Sequence, residues 1–516
     1  MRFRAQSFAS LALPSILACV ACGDDAPIYP PIVINILGGG ASSIGATSNG
    51  TGNNGSNPNP QGGSANASGG SANAAGGLDP NTTGLFAHCG TFLSAPEPKV
   101  ETACDLDKLE DGGELKDDVA ADRTLKSGHF YTLKGSVRVL PGKTLTIEPC
   151  VKVIGENSSA LLVVTSSSLG DRKKSCTYEG GSLTPGAKLI AVGEPMAPII
   201  FTSAKPVGQR RAGDWGGVMI LGNAQNDLTP ENGRVPIEGL TATECHGYYT
   251  DEFNSESSGK LSYVRIEYAS RQLEDGNETN GLTFGSVGSG TEVHHVMVSN
   301  SADDCFEWFG GTVNADHLIA LNCDDDSFDG DHGYSGKLQF LFGRQHTTST
   351  EMDPRGLEIT QGNGVKRVLT SVQLSNATLC GQGSNAKDTF EHGGAYFNDT
   401  PQVQVMNTFI TGFSRYGLWV TGSSVQLNHT RMFAQLPLFG EQGQAYWEAG
   451  TGNSSEDPDR FCNCWANPPA PVPATPVSGG KATGFADENA KYVGAFADAS
   501  ANSNWMKGLW VDWSDR

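Results

Sequence analysis

The sequence is short of charge, and above all short of positive charge. Charged residues make up 18% of its 516 positions, with 35 Lys and Arg against 56 Asp and Glu, for a formal net charge of −21. So acidic a chain repels nucleic acid and anionic lipid surfaces, which excludes both as main partners. Long apolar runs are missing beyond the N-terminus, so no later segment reads as a membrane span. No nucleophile motif, phosphate loop or dinucleotide fingerprint is present. The glycine-rich string "GLTFGSVGSG" lies among strand-like runs with no helix after it, and reads as a turn. From Phe130 onward long amphipathic helices are also missing, which leaves a sandwich, a barrel, a propeller or a solenoid for that region.

What is present begins with "MRFRAQSFASLALPSILACVAC". Arg2 and Arg4 form a basic start, and Phe8 to Val20 is an apolar stretch too short to span a bilayer, the pattern of an export signal. The following "ACGDD" resembles a bacterial lipoprotein signal, in which a cysteine is lipidated and becomes the mature N-terminus. Of the two candidates, Cys22 is favoured over Cys19. Cleavage before Cys22 leaves ten of the 12 cysteines, an even number suited to an oxidising compartment. The expectation is residues 1–21 as signal peptide, Cys22 as the lipidation site, and a location at the cell envelope, anchored by lipid to the outer membrane and facing outward. Residues 22–84, rich in Gly, Ser and Asn, lack the bulky side chains that offset chain entropy and read as a flexible tether.

From Phe130 the pattern turns to short β-rich runs with period-two alternation, broken by Gly, Asn, Asp and Ser. The runs "YVRIEYAS", "HHVMVSNS", "HLIALNC" and "KLQFLFGR" are each followed by a second short strand, "GLTF", "CFEW", "SFDG" and "GLEI". In that second set Leu282, Phe306, Phe328 and Leu357 share one register, and Thr283, Glu307, Asp329 and Glu358 the next. A period of roughly 22 to 30 residues suits one coil of a β-solenoid and is about half what a propeller blade needs. The fold expected is all-β, a right-handed parallel β-helix over residues 130–434. An N-terminal cap is expected over 85–129, and an irregular C-terminal capping segment over 435–516, anchored by Trp505, Trp510 and Trp513. Such a solenoid needs covered ends to prevent edge-to-edge growth.

The strings "LPGKTLTIEPCVKVIG", "GDWGGVMILGNA", "DDDSFDGDHGYSGKLQF" and "YVGAFADASANSNWMKGLWVDW" resemble a family of bacterial secreted or lipid-anchored β-helix proteins of pectin-lyase-like fold. The resemblance is dense over residues 132–342 and returns in the last thirty or so. It implies a fold and a surface location, and no established reaction.

Ten cysteines do not determine their own pairing, but the spacings Cys89/Cys104, Cys150/Cys176 and Cys305/Cys323 would each close a short loop. Cys462 and Cys464, in "CNC", read as disulfide-bonded cysteines rather than metal ligands, since no matching His-Cys spacing lies nearby. His294 and His295 are neighbours on a strand, where alternation turns one inward, so they are not read as a joint metal pair. Trp215 and Trp308 read as core residues rather than sugar platforms.

The densest chemistry is "CDDDSFDGDHGYSG", with five aspartates and a histidine between Cys323 and Gly336. Aligned with "SADDCFEWF" one coil earlier, it places Asp303 over Asp325, Asp304 over Asp326 and Glu307 over Asp329. Carboxylates stacked at about 4.8 Å repel unless a cation, a proton or an arginine intervenes. Three explanations compete. Asp304, Glu307, Asp324, Asp326, Asp329 and Asp331 are hard oxygen donors suited to calcium, although the string is not an EF-hand loop. Alternatively the acids cleave glycosidic bonds, with Asp303, Asp304 and Asp326 as acid/base groups and His332 assisting. The run resembles β-helix polygalacturonases loosely, lacking their Asn-Thr-Asp and complete Gly-His-Gly motifs. A lyase variant would take Arg344 or Arg355 as base. The third reading is structural: the acids are solvated or amide-capping residues at coil corners. The role expected is binding of a polysaccharide or another surface protein, with carbohydrate-active enzyme as the alternative.

Overall fold

The computed structural model describes residues 104–513 apart from 167–175, 177–184, 230–233, 241–243, 275–276, 346–353, 363, 365–366, 382–392, 400, 435–438, 456–463, 465–476 and 498–504. The export signal, Cys22, the tether, Cys89 and Cys462 lie outside the described residues.

Among the described residues, short strands wind into two large parallel sheets, one of 17 strands and one of ten, around a continuous apolar core. This is a right-handed parallel β-helix. Parallel pairing already begins at Glu110–Leu115, which lies beside His129–Leu133, and extends to Ser454–Ser455 beside Arg431–Ala434. The helix Gly443–Ala449 packs Tyr446 and Trp447 against the last coil.

The ten-stranded sheet has the register that the repeats imply. Leu282 pairs with Phe306 and Phe306 with Phe328, so Thr283, Glu307, Asp329 and Glu358 form one ladder across four strands. Alternation sends Phe306 and Trp308 into the core. Phe306 stacks on Phe328 at 5.4 Å between ring centroids, and Trp308 lies between Phe284 at 5.6 Å and Tyr334 at 5.4 Å. Gly330 occupies the rung after Trp308, and the Tyr334 ring fills the space its missing side chain leaves. Trp215 is likewise buried, its Nε1 donating to the Glu267 carbonyl at 2.8 Å.

The larger sheet has a device that simple alternation hides. Five long strands each contain one non-glycine residue in the left-handed region: Tyr263, His295, His317, Phe340 and Asn376, with φ between 52° and 58°. Asn407 and His429 continue the column where the strands divide in two. Each such residue bends its strand and interrupts the inside-outside alternation, at a cost of about 1–2 kcal/mol. The expectation that His294 and His295 face opposite ways is therefore wrong. Both are half-buried on the outside, their Nδ1 atoms 3.0 Å apart.

The C-terminal segment docks on this sheet. Met506, Trp510, Val511 and Trp513 cover Met297, Ile319, Leu321 and Phe342, with Trp505 packed alongside. The bend column is part of the seam, since Asn376 Nδ2 donates to the carbonyls of Ala490 and Tyr492, and Asn407 Nδ2 to that of Gly480. A disulfide joins Cys464 in this segment to Cys380 in the sheet. Cys305 and Cys323 bond between rungs as their spacing implies. Two other pairings differ from expectation: Cys104 bonds Cys150, not Cys89, and Cys176 bonds Cys245, not Cys150. These bridges span 46 and 69 residues, so short sequence separation does not set the pairing.

Candidate functional site

The outer face of the ten-stranded sheet is divided. Its first strands carry Leu161, Val163, Met219 and Leu221 outward, and the insertion after Leu221 folds over them, packing Ile237 and Leu240 against these residues and Phe309. Asn226 Nδ2 donates to the Phe309 carbonyl, and the Asp227 amide to that of His332, which ties the insertion to the later strands. Beyond this cover, one outward ladder runs through Glu307, Asp329, Glu358, Tyr396 and Trp419, each paired with the next. It passes from acidic to aromatic in successive rungs.

The corner acids have two different roles. Asp304 Oδ1 accepts the Asp326 backbone N–H at 2.8 Å, and Asp326 Oδ1 accepts that of Arg355 at 2.5 Å. Both side chains are buried, and each caps the corresponding corner one coil on. Asp304 also approaches the ladder: its carboxylate, with those of Glu307 and Asp329, offers oxygens all within 4.8 Å of one another. Asp303, Asp304 and Asp325 make a second such group.

Around the first group stand polar atoms that the fold leaves unsatisfied. Asn280, 2% exposed, donates its amide to Glu307 Oε2, and its Oδ1 has no hydrogen-bond partner among the described residues. The same is true of the fully buried Thr283 Oγ1, one rung from Glu307, and of Asp329 Oδ1. A buried oxygen without a partner costs about 1–3 kcal/mol. Burial, and then the neighbouring negative charges, push Asp304, Glu307, Asp326 and Asp329 well above the usual carboxylate range.

Of the residues singled out as calcium donors, then, Asp304, Glu307 and Asp329 come together. Asp326 is an amide cap beside Arg355, Asp331 pairs with His332 (Oδ2 to Nε2, 2.8 Å), and Asp324 belongs to neither group. Of the acid/base set, Asp303 and Asp304 share a group, whereas His332 lies in the turn just past the far end of Phe328–Asp331, held by Asp331. Of the two arginines, Arg344 ends a strand of the other sheet, while Arg355 forms an ion pair with Glu358 and lies 4.3 Å from the Tyr396 ring centroid. Asn280, Tyr396 and Trp419 carry no sequence signal as site residues. Thr283 shares the register of Glu307, and that register was the one clue available.

Residues 113–436, more than half of the chain, match the family model described as a pectate-lyase like beta helix domain, and the chain belongs to that family. Membership points to a carbohydrate-related function or binding. No curated protein and no solved structure matches the chain.

Proposed function

We propose that the protein is a lipid-anchored envelope protein whose outer ladder binds an acidic polysaccharide with the help of a calcium ion. The observation that carries this reading is the ladder itself, in which three carboxylates are followed on the same face by Tyr396 and Trp419. Half-buried aromatic rings offer flat apolar surface to a sugar ring, and Arg415, against Trp419, supplies positive charge for uronate carboxylates. Calcium takes roughly six to eight oxygen ligands, and the carboxylates of Asp304, Glu307 and Asp329 with the Thr283 hydroxyl and Asn280 carbonyl fit such a hard cation. It would satisfy the unpartnered oxygens and neutralise a cluster that otherwise repels an acidic ligand. Lipidation at Cys22 and the Gly/Ser/Asn-rich tether would hold the coil away from the membrane surface. Among the described residues no helix is long and apolar enough to cross a membrane.

The test is retention of the full chain on immobilised uronate-rich polysaccharides, in calcium and in chelator. Calcium-dependent retention that Asp329→Asn abolishes and Trp419→Ala weakens about tenfold supports the reading. New reducing ends or unsaturated products would instead assign the acids to catalysis. No retention on any acidic polysaccharide overturns the proposal.

A further inference from the structure

The larger sheet holds a second group of ligating side chains, with different chemistry, outside the acidic ladder. On two adjacent rungs, His294 is the Cα partner of Asp316, and His295 and His317 follow them at the bend. Since His295 and His317 adopt the left-handed conformation, neither turns into the core, and all four side chains are half-buried on one outer patch. His294 Nδ1 is 3.0 Å from His295 Nδ1, and His317 Nδ1 lies against Asp316 Oδ1. Ligand atoms from His295, Asp316 and His317 all lie within 4.8 Å of one another.

A purely structural role for the imidazoles is the competing explanation, because the bend column is an aromatic stack. His295 stacks on His317 at 4.2 Å, between Tyr263 at 4.5 Å and Phe340 at 4.6 Å. Stacking alone does not account for the neighbours. The rungs with Tyr263 and Phe340 at the bend carry Ser262 and Gln339 beside it, whereas the two histidine rungs carry His294 and Asp316. Ligating residue types thus coincide at both positions of two successive rungs and at neither position of the flanking ones. Packing asks only for a flat ring at the bend; at the position before it Gln339 bonds Asp487 of the C-terminal segment, whereas His294 and Asp316 lie against the neighbouring histidines.

We propose that His294, His295, Asp316 and His317 form a binding site for one transition-metal dication of the zinc class. Two nitrogens on a tetrahedral zinc lie about 3.3 Å apart, close to the His294–His295 separation. Three imidazoles and one carboxylate suit zinc, copper or nickel and not calcium, so this site and the oxygen cluster select different ions. Asp316 orients the His317 ring. Binding requires one ring to rotate out of the His295–His317 stack. Trp505 and Trp510, edge-on to His295 at 6.2 and 5.5 Å, wall the patch on the side of the C-terminal segment. A metal here would join two rungs directly beside the docking seam of that segment.

The experiment is equilibrium dialysis of the full chain against zinc alone, with cobalt absorption as a readout of ligand geometry. The wild type is expected to bind one zinc at this patch and to give the intense visible bands of four-coordinate cobalt. His317→Phe keeps a ring in the stack and removes a ligand, and Asp316→Asn removes another at a half-buried position. Each should weaken zinc binding at least tenfold and abolish the cobalt bands, with the melting temperature in chelator unchanged. His294→Gln provides a third variant should either fail to fold. Absence of stoichiometric zinc, or binding that the histidine and Asp316 variants leave intact, overturns the proposal. So does binding lost only in Asp329→Asn, which would place the ion in the acidic ladder.

Discussion

Asp329 illustrates how burial and like charge combine at a single residue. Its carboxyl, with those of Asp304, Glu307 and Asp326, is pushed up by desolvation first and by neighbouring acids second. The sign of the linkage follows. Over the range between the unfolded and folded values the native state holds more protons, so stability contributed by these groups is present below about pH 4 and is lost as pH rises toward neutrality. Without metal, urea midpoints of Asp329→Asn should fall less steeply with pH than those of the wild type, and calcium should flatten the wild-type curve. The difference between the two chains isolates these acids from the exposed ion pairs. Tyr334 makes a different residue-scale prediction. It fills the place that Gly330 leaves in the aromatic stack, and its hydroxyl donates to the Val313 carbonyl at 2.9 Å. Tyr334→Ala should cost about 3–5 kcal/mol in chemical denaturation, through the cavity beside Trp308.

Among elements, the C-terminal segment is held by few strands and many side chains. It has the Cys380–Cys464 bridge, the Trp510 and Trp513 contacts, and hydrogen bonds to Gln339, Asn376 and Asn407. A bridge closing 84 residues is worth about 4.6 kcal/mol in the chain-entropy picture. Cys464→Ser should therefore let a protease cut the segment beyond Ser455, the last paired strand, while the coils remain intact, as fragment masses would reveal. The repeat pattern made the coils and their register legible because the two-residue alternation and the coil period are both written in the sequence. The bends were not legible. Nothing in "EVHHVMVS" states that His295 takes a positive φ, and that one dihedral places His294 and His295 on the same face. The two mistaken disulfides failed for a related reason, since Cys176 meets Cys245 across 69 residues, in the insertion where Cys245–His246 pairs antiparallel with Val235–Pro236.

For the whole molecule, the parallel coils bury a core that runs from Leu115 to Met432, so that successive rungs are joined by both backbone pairing and stacked side chains. The two outer faces are each partly covered, one by the insertion after Leu221 and the other by the C-terminal segment. That leaves the acidic-to-aromatic ladder as the face we assign to ligand. The anchoring proposal is tested separately from binding. Cells given a labelled fatty acid should transfer it to the wild-type chain and not to Cys22→Ser, and loss of label should release the protein from the membrane fraction.

The sequence by itself determined the solenoid, the rung-to-rung alignment of Glu307 with Asp329 and of Asp304 with Asp326, the core placement of Trp215 and Trp308, and the role of the C-terminal tryptophans as anchors. These follow from periodicity and hydrophobicity, which are local. Only the tertiary structure decided which acids meet: Asp304 and Asp326 as amide caps, Glu307 and Asp329 beside the Asn280 Oδ1 and Thr283 Oγ1 atoms that have no partner among the described residues, Asp331 with His332. It also decided which side chains share a face at the bends. Both depend on dihedral angles and cross-coil distances that residue order along a strand does not encode.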